Sequence, residues 1–330
     1  MRRLGLAAIA VVTTTLATLS GAGQSNPFLG QWAMTGTGDD SSLVYWLEIT
    51  ESGGQLSGMF LDRVGNPNPL AVVKIENGEL VFGQAGRGGA PGQEYRARIE
   101  NGRLVGRHTM VVRGRRGGDP NATPTERVVN WVGVRPPSWP PFSANGKHVF
   151  GAPVALFNGT TLEPWGVQHA ERPMNWAIED GAMTNGERAN NLVSKQKFMN
   201  FKIEAEYKLG PGSNSGLYLR GRYELQLLDD ATDTRTRRDL AHMAIYGRVA
   251  PSVNASKPAG EWQSMSAVLV GNRVTVILNG ATVHNDVAIA GITGGALDNA
   301  ETTPGPIMIQ GDHSKVWVRK VVVTPITEVR

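Results

Sequence analysis

The chain has 330 residues, is 40% hydrophobic, carries a formal net charge of +4 and contains no cysteine. That length holds two domains with adequate cores, the mild charge gives no footing for nucleic-acid binding, and the missing cysteine excludes disulfides and a cysteine-linked lipid anchor. With 41 glycines and 19 prolines among recurrent Val, Thr and Ile runs, the composition predicts an all-β, turn-rich protein.

Residues 1–23 read as a signal peptide. Arg2 and Arg3 form the positive end, Leu4 to Leu19 is mostly apolar, and Ser20-Gly21-Ala22-Gly23 offers small residues for cleavage. The expected product is exported, to the periplasm or the extracellular space, with no membrane insertion after cleavage and a net charge lowered from +4 to +2 by loss of the two arginines. Residues 26–135 alternate short strands with turns, including IENGELVFG and IENGRLVGR, an echo 24 residues apart in which Asn-Gly signals a hairpin each time. A small antiparallel barrel or sandwich follows, expected to serve as an accessory unit. Its tight basic cluster, Arg113, Arg115 and Arg116, lies in a Gly-rich stretch without aromatic interleaving and reads as a solvated loop.

Residues 136–152 read as a Pro-rich linker. From residue 153 to 330, strand follows strand with no helical interlude. FKIEAEYKL alternates cleanly, placing Phe201, Ile203, Ala205, Tyr207 and Leu209 on one face and charged residues on the other, as in a sheet packed on one side. Two antiparallel sheets in a jelly-roll sandwich are the natural architecture.

Within this region, NSGLYLRGRYELQLLDD (214–230) puts polar residues inside strand-like runs. Alternation makes Arg222, Glu224 and Gln226 share a face opposite Tyr223, Leu225 and Leu227. Such a polar face suits a wet groove better than a core. Glu224 and Gln226 at i and i+2 both reach a ligand lying across the sheet, while Arg220 and Arg222 offer planar donors or, alternatively, brace Glu224. Gln310, Asp312 and His313 form a second cluster at a glycine break, where His313 is a candidate base or metal ligand. Tyr246 and Lys257 flank a long Gly/Pro/Ser-rich loop that reads as a lid or subsite wall.

Together with AIYGRVAPSVNASKPAGEWQ, NRVTVILNGATV and PGPIMIQGDHSKVWVRKVVVTPI, this stretch resembles the 3-keto-disaccharide hydrolase domain family, over roughly Ala155 to Ile326. The resemblance implies a concanavalin-type lectin and glucanase sandwich with the site on its concave sheet, and cleavage of glycosides oxidised to a ketone at C3. An oligosaccharide or glycoside is then the expected partner. Gln226 departs from the paired acids of laminarinase-type glucanases, and an amide cannot serve a retaining mechanism with carboxylates about 5–5.5 Å apart. A C3 ketone instead acidifies the C2 hydrogen, so that one base, with donors for the enolate oxygen, suffices for β-elimination and subsequent hydration. Glu224 or His313 is the expected catalytic base; Arg220, Arg222, Gln226, Tyr246, Lys257 and Gln310 are the expected substrate contacts. A divalent metal ion on Glu224, Asp312 and His313 is a further option that no ligand spacing demands. The competing readings are a carbohydrate-binding module without catalysis and an ordinary glycosidase on unoxidised glucans.

Overall fold

The computed structural model describes residues 26–86, 92–112, 125–232 and 237–330. The signal-peptide reading and the arginine cluster at 113–116 fall outside them. No helix among the described residues is long and apolar enough to cross a membrane.

Strands β1 (Gly30–Gly36), β2 (Val44–Ser52), β3 (Gln55–Leu61), β4 (Asn68–Pro69), β5 (Val72–Glu76), β6 (Glu79–Gly83), β7 (Glu94–Glu100), β8 (Arg103–Val112) and β9 (Thr125–Val134) form one antiparallel sheet in the order β4-β3-β2-β1-β9-β8-β7-β6-β5. Because β4 runs straight into β5, this order rolls into a barrel: Leu70 N–H donates to Gly58 O, Ala71 N–H to Gly83 O, and the Gln84 amide to Phe60 O. Trp32, Tyr45, Phe60, Phe82, Tyr95 and Trp131, from strands all round the sheet, fill the interior. Both Asn-Gly signals are hairpins, with Asn77 and Gly78 at φ 53° and 81° and Asn101 and Gly102 at 50° and 75°. Positive φ at both central residues is what a two-residue loop needs to match the strand twist.

The remaining strands are β10 (Val149–Phe150), β11 (Val154–Phe157), β12 (Trp165–Val167), β13 (Trp176–Glu179), β14 (Ala182–Asn185), β15 (Leu192–Phe198), β16 (Phe201–Leu209), β17 (Asn214–Leu219), β18 (Tyr223–Leu228), β19 (Trp262–Val270), β20 (Arg273–Leu278), β21 (Ala281–Ala288), β22 (Gly305–Ile309) and β23 (Val316–Glu328). They make two sheets. The larger runs β13-β14-β23-β16-β19-β20-β21 with β10 and β11 also on β23, and the smaller runs β12-β15-β22-β17-β18. One apolar core joins them, taking the alternate residues Phe201 to Leu209 of β16 from one side and Leu217, Leu219, Tyr223, Leu225 and Leu227 of β17 and β18 from the other. The result is the expected all-β jelly-roll sandwich.

The Pro-rich stretch is not a free spacer. Asp286 accepts from Ala144 N–H at 2.7 Å and from the Ser143 hydroxyl at 3.0 Å, and Trp139 and Phe142 crowd Gly271, so the segment lies against the sandwich.

Candidate active site

The site stands on the face of the smaller sheet that turns away from the core. In the β17–β18 hairpin, Tyr218 pairs with Glu224 and Gly216 with Gln226, so the three side chains project to that outward side and Gly216 leaves a gap on it. Leaving β22, Gln310 N–H donates to Gly216 O and Ser314 N–H to Asn214 O, which lays the Gln310–Ser314 turn over β17. Along the open edge of β18, Gln226 N–H donates to Ala244 O and Tyr246 N–H to Glu224 O, seating Tyr246 beside the carboxylate. These elements enclose a cavity of about 130 Å³ lined by Asn214, Tyr218, Glu224, Gln226, Tyr246, Gly294, Gly295, Gln310 and His313, together with Val64 and Gly65 of the barrel. Space for the carboxylate depends on Gly216, where a Cβ would stand 2.4 Å from Glu224 Oε1.

Glu224 is 4% exposed. Burial drives its pKa up to about 8, against the opposing pull of the Tyr218 hydrogen bond and the charge of His313. The Tyr218 hydroxyl lies 2.9 Å from Glu224 Oε2, 2.8 Å from Gly294 O and 2.9 Å from Gln310 Nε2. A hydroxyl has one hydrogen and two lone pairs. When Glu224 is protonated, Tyr218 accepts from the carboxyl O–H and from the Gln310 amide and donates to Gly294 O, so every partner is satisfied. When Glu224 is ionised, the Tyr218 hydrogen turns to the carboxylate. The tyrosine therefore supports both protonation states, and burial holds its own pKa well above the ordinary value.

His313 is half-exposed at the rim, with Nδ1 2.8 Å from Asp312 Oδ1. That bond is the main cause that raises the His313 pKa, helped by the charges of Asp312 and Glu224 and opposed by burial. It also leaves Nε2 as the ring nitrogen for a ligand. Gln226 is 4% exposed and its Oε1 has no hydrogen-bond partner. An orphan acceptor in a cavity wall is costly unless a ligand or water donates to it.

Glu224, Gln226, Tyr246, Gln310 and His313 thus converge as expected from sequence. Three expected contacts do not. Arg220 is fully buried, its guanidinium donating to Glu301 O at 3.0 Å, to the Tyr223 hydroxyl at 3.3 Å and to Gly271 O. The reason is local: Leu219 pairs with Tyr223, so residues 220–222 are the hairpin turn, and with Arg220 at φ 54° the alternation of faces fails there. Arg222, 1% exposed, bonds Asp298 and Thr303 O, and its own carbonyl accepts from Thr293 N–H. Both arginines brace the 293–303 loop that carries Gly294 and Gly295; neither lines the cavity. Lys257 donates through Nζ to Trp262 O at 3.1 Å, because its loop folds back on Gln263 and Asn279 rather than over the site. Nor do Glu224, Asp312 and His313, the optional metal set, come together. Asp312 lines a neighbouring surface depression, shared with His313, Asn185 and Lys315, but not the cavity of Glu224, and among the described residues no group of three His, Asp or Glu is placed to hold a metal ion.

Gly294, Gly295, Val64 and Gly65 of the lining were not legible as site residues. Tyr218 had a readable signal, its position opposite Glu224 once the Arg-Gly-Arg break is taken as a three-residue turn.

A larger cavity, about 520 Å³, opens on the barrel between Glu94, Arg96, Arg107, His108 and Glu126. It lacks a reactive constellation: Arg96 is ion-paired with Glu76 and Glu94, and burial pushes His108 down to about 4, keeping it neutral between the Tyr45 and Tyr95 rings.

Residues 152–324 match the family model of the 3-keto-alpha-glucoside-1,2-lyase-like domain. A 3-keto-disaccharide hydrolase of Bacteroides thetaiotaomicron is 26% identical over 143 residues, covering 33% of this chain and 49% of that protein, so the chain spans about half the length of that relative. Among solved structures, a protein of Parabacteroides distasonis described as a glycosyl hydrolase is 25% identical, with a TM-score of 0.46 over 58% of this chain and 93% of its own. A non-specific endo-beta-1,3(4)-glucanase of family GH16 is 13% identical, with a TM-score of 0.33 over 57% and 98%.

Proposed function

Because this chain belongs to the 3-keto-alpha-glucoside-1,2-lyase-like domain family, we propose that it is an exported carbohydrate-active enzyme that cleaves 3-keto-glycosides by β-elimination followed by hydration. The observation that carries this reading is that Glu224 is the only carboxylate among the described residues lining the cavity, and it is buried with a pKa raised to about 8. A retaining or inverting glycosidase needs two acids. One base of raised pKa is instead what abstraction of a proton next to a ketone requires.

In this mechanism the ionised Glu224 takes the C2 hydrogen as a proton, and the electron pair of that C–H bond moves into an enolate on the C3 oxygen. Collapse of the enolate breaks the C1–O bond, and the leaving-group oxygen takes the proton that Glu224 removed from C2, which returns the carboxylate to its ionised form. Water then adds across the resulting enone, returning a hydrogen to C2 and a hydroxyl to C1, so that the sum is hydrolysis. Tyr218 swings its hydrogen between Glu224 and Gly294 O as the carboxylate gains and loses its proton. His313, with Nδ1 held by Asp312, supplies an Nε2–H donor to the developing oxyanion. The orphan Gln226 Oε1 accepts from a sugar hydroxyl.

The test incubates purified protein with 3-keto-trehalose and, separately, with trehalose. Glucose release from the keto sugar alone is the expected result. Release from trehalose alone overturns the mechanism, and tight binding without turnover of either sugar favours a binding module.

A further inference from the structure

The cavity is not built by the sandwich alone. Val64 and Gly65, which sit between β3 and β4 of the barrel, form part of its lining beside Tyr218, Glu224 and His313, residues more than 150 positions away in the chain. Their loop is fixed to the sandwich by close backbone packing. Arg63 O accepts from Gly295 N–H at 2.9 Å. A Cβ on Gly294 would stand 2.0 Å from Gly65 O, and one on Gly247 would stand 2.5 Å from Asn66 Cβ. No side chain fits at either position.

The surrounding interface is equally substantial. The Arg248 guanidinium lies 4.0 Å from the centre of the Trp46 ring and donates to Ile292 O, and Asn299 Nδ2 donates to Met34 O at 2.7 Å. Val44, Trp46 and Leu61 of the barrel bury together with Ile292 and Ala296 of the sandwich. This is a desolvated, hydrogen-bonded contact that holds the loop in one place.

Resting on the mechanism proposed above, we infer that the barrel's Asp62–Pro67 loop is the leaving-group wall of the sugar site, with Val64 its specificity-determining residue. Glu224 lies at the buried floor, so the ring that gives up its C2 hydrogen enters first. The cavity of about 130 Å³ is small beside the roughly 300–1,000 Å³ of pockets for drug-sized ligands, so only one end of a disaccharide can sit in it. The C1 substituent, which is the rest of the substrate, then points to the open side. Val64 stands there, 65% exposed, an apolar surface at the mouth of a polar hole. A wall in that position makes the enzyme act on terminal keto-sugar units and read the size of what is attached to them.

The chain has no cysteine, so Val64→Cys introduces a single thiol at an open position, and Ile178→Cys on β13, 38% exposed and outside the cavity, serves as control. Each full-length variant is treated with N-ethylmaleimide and assayed on 3-keto-trehalose and on methyl 3-keto-glucoside. In the Val64→Cys adduct, kcat/KM should fall by about tenfold or more for the disaccharide and by less than about threefold for the methyl glycoside, a pocket-shape discrimination of ordinary size. The Ile178→Cys adduct should be unchanged on both. Equal effects on the two substrates, or none, overturn the inference. A second readout needs no turnover: 3-keto-trehalose should slow maleimide labelling of Val64→Cys and leave that of Ile178→Cys alone, and unslowed labelling refutes the wall. If the untreated protein turns over neither keto sugar, the proposed activity falls, and protection from labelling still decides whether this loop borders a sugar site.

Discussion

Replacing Glu224 by glutamine should make the protein more stable and at the same time inactive, with a pH dependence that identifies the cause. Below pH 4.5 the carboxyl holds its proton in both folded and unfolded chains and does not affect stability. Between 4.5 and about 8 the unfolded chain has released the proton while the folded protein retains it, so stability falls as pH rises; above about 8 both are ionised and the full penalty remains. At about 1.4 kcal/mol per pH unit, that interval is worth up to about 5 kcal/mol, of which roughly half develops between pH 5 and 7. Glutamine keeps the shape and the Tyr218 contact but never ionises. Thermal unfolding followed by circular dichroism should therefore show a Tm gain for Glu224→Gln of about 5 °C or more at pH 8.5 and less than about 1 °C at pH 4.5. If variant and wild type differ by the same amount at both pH values, burial is not what sets the protonation of Glu224, and the case for it as a tuned base fails.

The pH profile of kcat/KM on a 3-keto-glucoside should rise through about pH 8 as Glu224 ionises, and Glu224→Gln should lose about 10²–10⁴-fold; a profile falling through pH 8 would make Glu224 the proton donor instead. Gly216→Ala puts a Cβ 2.4 Å from Glu224 Oε1, so it should lower kcat/KM by roughly 10²-fold through misplacement of the base, and a variant with wild-type kinetics would show that the carboxylate is free to move aside. Arg220→Met removes a buried cation bonded to Glu301 O, Gly271 O and Tyr223, and should destabilise by about 3–5 kcal/mol in a denaturant titration, with KM unchanged at a temperature where the variant is folded. An unchanged denaturation midpoint with a raised KM would restore Arg220 to the substrate.

Much of the fold was legible because strand physics is local. The period of two in FKIEAEYKL gave the buried face of β16, and both Asn-Gly pairs gave hairpins, since each depends only on neighbouring residues. The same parity placed Glu224 and Gln226 on one polar face, and that face lines the cavity. Parity failed at Arg222, because the turn at residues 220–222, with positive φ at Arg220 and Gly221, resets which way the chain points and neither strand dictates that from its own pattern. Lys257 was misread for a related reason: a loop's destination is set by what it bonds, here Gln263 and Asn279, and loop composition reports only that it bends.

By itself, the sequence determined most of the strands, their faces and the placing of Glu224 and Gln226 on one polar face, all consequences of side-chain alternation and residue type. Only the tertiary structure decided that two arginines brace a loop instead of lining the cavity, that the Tyr218 hydroxyl sits between Glu224 and Gly294 O, and that a barrel loop borders the hollow. Those arrangements arise from contacts between segments up to about 250 residues apart, governed by how sheets and loops pack, and no local periodicity encodes such distances.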